Sequence, residues 1–285
     1  MLYLLYPEWQ GSGRSPSVQQ GALAIARELF PDTPFLTVDS PPDEMLTCVD
    51  GVNGLGSIAP RFRDAIAALR AAAPDRILTI GGTCGVEAAP VGYLNERYDG
   101  DLAVVWLDAH GDLNTPESSP SGNFHGMILR TLLGDGPAEY AAGLRRPLAP
   151  AQVFLAATRD LDPPEAAFIA EHRITVTPPT DFVDPQRLVN RIRERAFRHV
   201  YLHLDLDALR PEDFPDTLMK TPGGPTLDDV SRMLGALATA FTVAGFSILE
   251  YVPGDAASLA ALRILVASTG ILPLSGEGRR KAPRR

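Results

Sequence analysis

Only two cysteines, Cys48 and Cys84, occur in 285 residues, and they stand in no paired spacing. No disulfide framework is implied, and a reducing cytoplasm is the expected home. No apolar run approaches the roughly 20 residues of a membrane span. The opening MLYLLY has neither a basic lead nor a small-residue cleavage site, so it reads as a first strand and not as a signal peptide. Positive charge is scarce as well. The formal net charge is -9, and the last ten residues, GEGRRKAPRR, hold five bases and one acid, which leaves the body before them near -13. Such a body excludes nucleic acid and an anionic membrane as main partners. The tail, 276–285, is nearly free of apolar residues and reads as a disordered, solvated end. No repeat or low-complexity linker divides the rest, so 1–275 is expected to form one domain.

At 45% hydrophobic and 21% charged, the chain can bury a sizeable core. Short apolar runs alternate with stretches of helical periodicity along its whole length. Strands are expected at 2–6, 35–38, 76–80, 102–107, 153–156, 174–176, 200–204 and 246–249. The first helix starts at Ser15 or Ser17 and is ended by Pro31 and Pro34. Others are expected over 58–73, 85–98, 125–134, 164–172, 184–196, 226–241 and 257–270. Ile58, Phe62, Ala65, Ile66 and Leu69 recur at helical spacing, and Thr226 with Asp229 reads as a capping box. This alternation predicts an α/β fold: a three-layer α/β/α domain with a mostly parallel sheet. Ligands of such sheets bind at the carboxyl ends of the strands.

Two strand ends are acidic. The run LAVVWL, 102–107, leads straight into Asp108, His110 and Asp112, which share one side if the backbone stays extended. The run VYLHL, 200–204, leads likewise into Asp205 and Asp207. Acids crowded together repel one another and take up protons unless a cation sits among them. Over one sheet edge the two clusters make a pocket of four aspartates and a histidine. That donor set suits Mn²⁺ better than Zn²⁺. His203 shares the parity of Asp205 but reads as a hydrogen-bonded core residue, and Trp106 reads as core.

From about Ile80 to Glu250 the chain resembles the arginase and agmatinase family of ureohydrolases. DAHGD at 108–112 is similar to the family's first metal motif, and LDLDALRP at 204–211 to its second. The resemblance implies metal ligation by Asp108, His110, Asp112, Asp205 and Asp207. It also implies a guanidinium-binding role for Glu250 in ILEY and proton transfer by His125 in SGNFHG. The loop NTPESSPSGNFHG follows the arginase pattern, which implies that Asn114 and Ser121 grip an α-carboxylate. RDLDPPE at 159–165 resembles the segment in which Asp162 and Glu165 would hold an α-amino group. One departure stands out: arginases carry GGDHS where this chain reads GGTCG, so Cys84 occupies the place of a metal-binding histidine and Thr83 that of an aspartate.

The implied activity is metal-assisted hydrolysis of the guanidinium group of L-arginine or a close analogue. Its products are urea, or a substituted urea, and an amine such as ornithine, with Asp112, His125 and Glu250 as catalytic residues. Two Mn²⁺ ions are implied, the position near Cys84 being weak, empty or held by another metal. A homo-oligomer is implied as well. Three alternatives stay open: an Nω-hydroxyarginine amidinohydrolase, an amide hydrolase of the related deacetylase fold, and a non-catalytic binding protein. The arginine-binding loop disfavours the second. The presence of Asp112, His125 and Glu250 disfavours the third.

Overall fold

In the computed structural model, which describes residues 1–13 and 16–272, the apolar runs become strands of one eight-stranded sheet. The basic tail expected at 276–285 lies outside the described residues. The chain opens with β1 (Leu2–Tyr6), α1 (Ser17–Leu29) and β2 (Leu36–Thr37), then a small hairpin of β3 (Cys48–Val49) and β4 (Val52–Asn53). Next come α2 (Leu55–Ala72), β5 (Ile77–Gly81), α3 (Ala88–Arg97), β6 (Leu102–Leu107), α4 (Ile128–Leu132) and α5 (Ala138–Ala141). They are followed by β7 (Val153–Ala156), α6 (Pro163–His172), β8 (Thr175–Thr177) and α7 (Gln186–Glu194). Last are β9 (His199–Asp205), α8 (Leu227–Ala240), β10 (Thr242–Leu249) and α9 (Ala256–Ser268).

The large sheet runs β2-β1-β5-β10-β9-β6-β7-β8, and every pairing in it is parallel. Both faces are covered, which is why its strands are continuous apolar runs and not alternating ones. Val104 and Trp106 of β6 pack with residues of α2 to α6 on one face. Ala103, Val105 and Leu107 pack with α1, α7, α8 and α9 on the other. This is the three-layer α/β/α arrangement expected from the alternation. Among the described residues no helix is long and apolar enough to cross a membrane.

Strand β10 starts at Thr242, four residues before the expected 246, and three helix starts differ for local reasons. Helix α2 begins at Leu55, three residues early, entered through Gly54 at φ 71°, so residues 55–57 ahead of the expected start are already helical. The helices expected at 85–98 and 125–134 each open with a 3₁₀ turn, Cys84–Glu87 and Phe124–Met127. Leading N–H groups of a helical segment lack an internal partner. The backbone N–H of Cys84 is given to Glu250 Oε1 at 3.1 Å.

The GGTCG turn after β5 ties three strand ends together. Gly82 N–H donates to Tyr6 O at 3.0 Å, Thr83 N–H to Glu8 O at 3.0 Å, and Glu250 N–H to Gly82 O at 2.8 Å. A Cβ on Gly82 would lie 1.9 Å from Glu8 O, so only glycine allows this crossing.

Candidate metal centre and active site

Because β5, β10, β9 and β6 are successive neighbours in the sheet, their carboxyl ends bring the two acidic clusters to one place. Asp108, Asp205 and Asp207 are all buried, as are Cys84 and Asp112. His110 Nδ1 lies 3.0 Å from Asp207 Oδ2 and 3.4 Å from Asp108 Oδ1. Cys84 Sγ lies 3.2 Å from Asp205 Oδ2. Backbone N–H groups fix the carboxylates: Ala109 donates to Asp207 Oδ1 at 3.0 Å, Asp207 to Asp205 Oδ1 at 2.8 Å, and His110 to Asp108 Oδ1 at 2.7 Å.

The acids of the first cluster do not meet by strand alternation. β6 stops at Leu107, the chain bends, and Asp112 takes the left-handed region at φ 52°. The backbone carbonyl of Asp112 accepts the N–H groups of Leu129 and Arg130 at 3.0 and 3.1 Å, which holds the turn. Glu250 is left-handed as well, at φ 60°. Such angles cost a residue with a side chain on the order of 1 kcal/mol, and here they aim two buried carboxylates into the cluster.

Among the described residues, ligand atoms fall into three groups, the members of each within 4.8 Å of one another: Cys84, Asp108, Asp112 and His203; Cys84, Asp205 and Glu250; and Asp108, His110 and Asp207. Burial, with the charge of Asp108 next, pushes the Asp112 carboxyl well up. Burial and then Asp207 and Asp108 do the same to Asp205, and burial with Asp108 moves Asp207 up to about 6. Burial and the charge of Asp205 push the Cys84 thiol up. Asp108 alone goes down: burial works against it, but hydrogen bonds from His110 and His203 hold it below the ordinary carboxylate range. Asp112 Oδ2 and Glu250 Oε2 are buried without a hydrogen-bond partner. Uncompensated anionic donors with orphaned oxygens fit a divalent cation.

A cleft of ≈ 200 Å³ opens from this cluster, lined by Cys84, Asp112, Asp205 and Glu250 at the strand ends and by Asn114, Ser121 and Asp162 from the loops. His125 also lines it, with Nδ1 3.2 Å from Glu250 Oε1. Asn114 Nδ2 donates to Asp162 Oδ2 at 2.8 Å, and Ser118 Oγ donates to Asn114 Oδ1 at 2.9 Å. Ser121 is exposed at the rim. Glu165 is buried with both oxygens engaged, accepting Leu113 N–H at 2.8 Å and Asp162 N–H at 2.9 Å. It therefore holds the loop bearing the other residues.

Two neighbours carry no motif that would have announced them, and a third, Arg159, opens RDLDPPE without its own role being legible there. Glu8 and Glu87 are buried acids beside the GGTCG turn. Arg159 spends its whole guanidinium on five carbonyls, those of Ala157, Asp207, Ala208, Thr221 and Pro222, at 2.7 to 3.2 Å. His203 is fully buried and stacked flat on Trp106, yet its Nε2 faces the cluster, so its shared parity with Asp205 was the usable signal.

Over residues 46–268 the chain matches the model of the arginase family. It is similar to the arginase of Staphylococcus aureus (strain MRSA252), 35% identical over 183 residues that span 62% of this chain and 60% of that protein. The structure resembles that of Bacillus caldovelox arginase with a TM-score of 0.76 and 26% identity, covering 94% of this chain and 96% of the other. It also resembles Entamoeba histolytica arginase in complex with L-ornithine, with a TM-score of 0.86, 21% identity and coverages of 94% and 97%, a likeness of fold.

Proposed function

The chain belongs to the arginase family, and from that premise we propose that it hydrolyses the guanidinium group of L-arginine or a close analogue. The products are urea, or a substituted urea, and an amine such as ornithine. The observation that carries this reading is a single cleft with unlike ends: anionic metal donors at the strand ends, and the Asn114–Asp162 pair with Ser121 in the loops. That second end suits a free α-amino acid, with Asn114 and Ser121 on the carboxylate and Asp162 on the ammonium group.

Asp108, His110, Asp112, Asp205 and Asp207 would hold two divalent ions together with Cys84, and the oxygen-rich donors favour Mn²⁺. When bound, the ions lower the pKa of a water so that it attacks at neutral pH. Glu250 Oε2, buried and unpartnered, accepts guanidinium N–H groups through charge-assisted hydrogen bonds and orients the planar carbon. Asp112 Oδ2, equally unpartnered, takes the proton released on attack. His125, with Nδ1 turned to Glu250, keeps Nε2 for delivering a proton to the departing amine. The family resemblance further implies a homo-oligomer working in the cytoplasm.

The thiol at position 84 favours Nω-hydroxyarginine as a second substrate, because a hydroxylated guanidine is less basic and tolerates a weaker metal position. The test is release of urea and hydroxyurea from arginine, Nω-hydroxyarginine and agmatine by the wild type and Asp162→Asn. Losing one charged hydrogen bond costs roughly 1.5 to 3 kcal/mol, so the variant should lose about tenfold or more in kcat/KM on the amino acids. Agmatine turned over faster than both amino acids would refute the α-amino acid assignment. No product from any of the three, with metal bound, would leave a binding protein.

A further inference from the structure

Behind the metal cluster lie two fully buried groups that no hydrogen bond shorter than 3.5 Å satisfies: the carboxylate of Glu87 and Nδ1 of His203. They face each other, Glu87 Oε2 standing 3.9 Å from His203 Nδ1. The Tyr201 hydroxyl also neighbours Glu87. A carboxylate is not buried in a core at no cost, and an imidazole beside it calls for a purpose.

The opposite edge of the ring supplies one. His203 Nε2 lies 3.5 Å from Asp108 Oδ2 and 3.7 Å from Cys84 Sγ. Together with Asp112 these atoms form one of the groups within 4.8 Å. The ring has little freedom to do anything else. Register pairs Trp106 with His203 across β6 and β9, and the indole stacks on the imidazole at 3.4 Å between centroids and 5° between planes. Its backing acid comes from the same 3₁₀ turn that carries the thiol, Cys84–Glu87. An imidazole with a carboxylate behind one nitrogen and anionic donors before the other is how proteins fix a histidine on a metal.

We propose that His203 Nε2, oriented by Glu87 at Nδ1, is the nitrogen donor of the deeper metal position, completed by Cys84 Sγ, Asp108 and Asp112. Position 84 contributes sulfur, and the imidazole arrives from strand β9. The proposal rests on the metal-hydrolase reading above and adds a ligand and an ion class to it. One nitrogen, one sulfur and two carboxylate donors suit a four-coordinate borderline ion of the Zn²⁺ or Co²⁺ kind better than Mn²⁺. The outer group of Asp108, His110 and Asp207 stays oxygen-rich, so the two positions differ in preference and share Asp108.

The test is titration of the metal-free full chain with Co²⁺ and Zn²⁺, followed by calorimetry and by absorption in the thiolate-to-Co²⁺ charge-transfer region. Wild type should bind one equivalent with that band. His203→Asn should weaken this equivalent at least tenfold and change the visible Co²⁺ spectrum, and Glu87→Gln should weaken it about 10- to 100-fold. An unchanged affinity and spectrum in His203→Asn overturns the proposal and leaves the hydrolase reading intact. Wild type taking up no ion of any kind removes the hydrolase reading together with it. Should the variants fail to fold, a wild-type crystal grown with Zn²⁺ decides. An anomalous peak about 2.0 to 2.1 Å from His203 Nε2 is expected, and a nearest peak beyond about 3 Å refutes it.

Discussion

Replacing Glu8 by glutamine should flatten the pH dependence of stability. Glu8 is 1% exposed, and its Oε1 accepts the Gly11 N–H at 2.6 Å and the Thr83 hydroxyl at 3.2 Å. Burial, helped by the charge of Glu250, lifts its carboxyl from the ordinary 4.5 to about 7 against the pull of those hydrogen bonds and of Arg61. Between these two values the folded chain holds a proton that the unfolded chain has released, so stability falls as pH rises through the window. At about 1.4 kcal/mol per pH unit, ionising Glu8 costs the folded state about 3 kcal/mol by pH 8. Glutamine keeps an acceptor oxygen for both donors and never ionises. Wild type and Glu8→Gln should therefore match near pH 5, and the variant should be the more stable by up to about 3 kcal/mol at pH 8, some 6 °C in Tm at about 2 °C per kcal/mol. Thermal and urea denaturation at pH 5, 6, 7 and 8, at fixed metal loading, give the difference. Parallel pH curves for the two proteins would refute the reasoning.

Asp205→Ala removes the carboxylate that receives both the Asp207 N–H and the Cys84 thiol, so metal and activity should be lost together. Equal metal content in variant and wild type after dialysis, by elemental analysis, would sink that expectation. Arg159→Ala strips the donors from five carbonyls around the β9 loop and should cost about 3 kcal/mol or more, given 1.5 to 3 kcal/mol for a single charged hydrogen bond. Arg159→Lys should recover less than half, because an ammonium cannot reproduce the planar fork. A Tm within about 2 °C of wild type for the alanine variant would show that the fork does not hold the loop.

The parts of this site that can be read from the chain are those written as local pattern. LAVVWL and VYLHL announce buried parallel strands, and the acids at their ends, Asp108, Asp112, Asp205 and Asp207, with His110, lie near one another at the carboxyl ends of β6 and β9. The route is less legible than the outcome. Nothing in DAHGD says that the chain bends after Leu107 or that Asp112 adopts a positive φ, since hydrogen bonds from Leu129 and Arg130 impose it. Strands β3 and β4, of two residues each, are too short to show a period. Glu8, Glu87 and Arg159 owe their importance to partners between 48 and 116 positions away or to a turn that only tertiary contact closes, and no spacing rule reaches that far. His203 is the instructive case: its parity was visible, but whether a buried ring satisfies itself or serves a site depends on what its two nitrogens face.

The strand order bears on how the protein is made. β10, the last strand among the described residues, sits between β5 and β9. Until residues 242–249 have left the ribosome, β2-β1-β5 and β9-β6-β7-β8 share no edge and are two separate half-sheets. The later half already owns Asp108, His110, Asp112, Asp205 and Asp207, whereas Cys84 belongs to the earlier half and Glu250 arrives with the closing strand. A nascent chain can thus gather the hard oxygen donors but not the thiol. Assembly of the complete cluster therefore waits for the final insertion of β10 between β5 and β9.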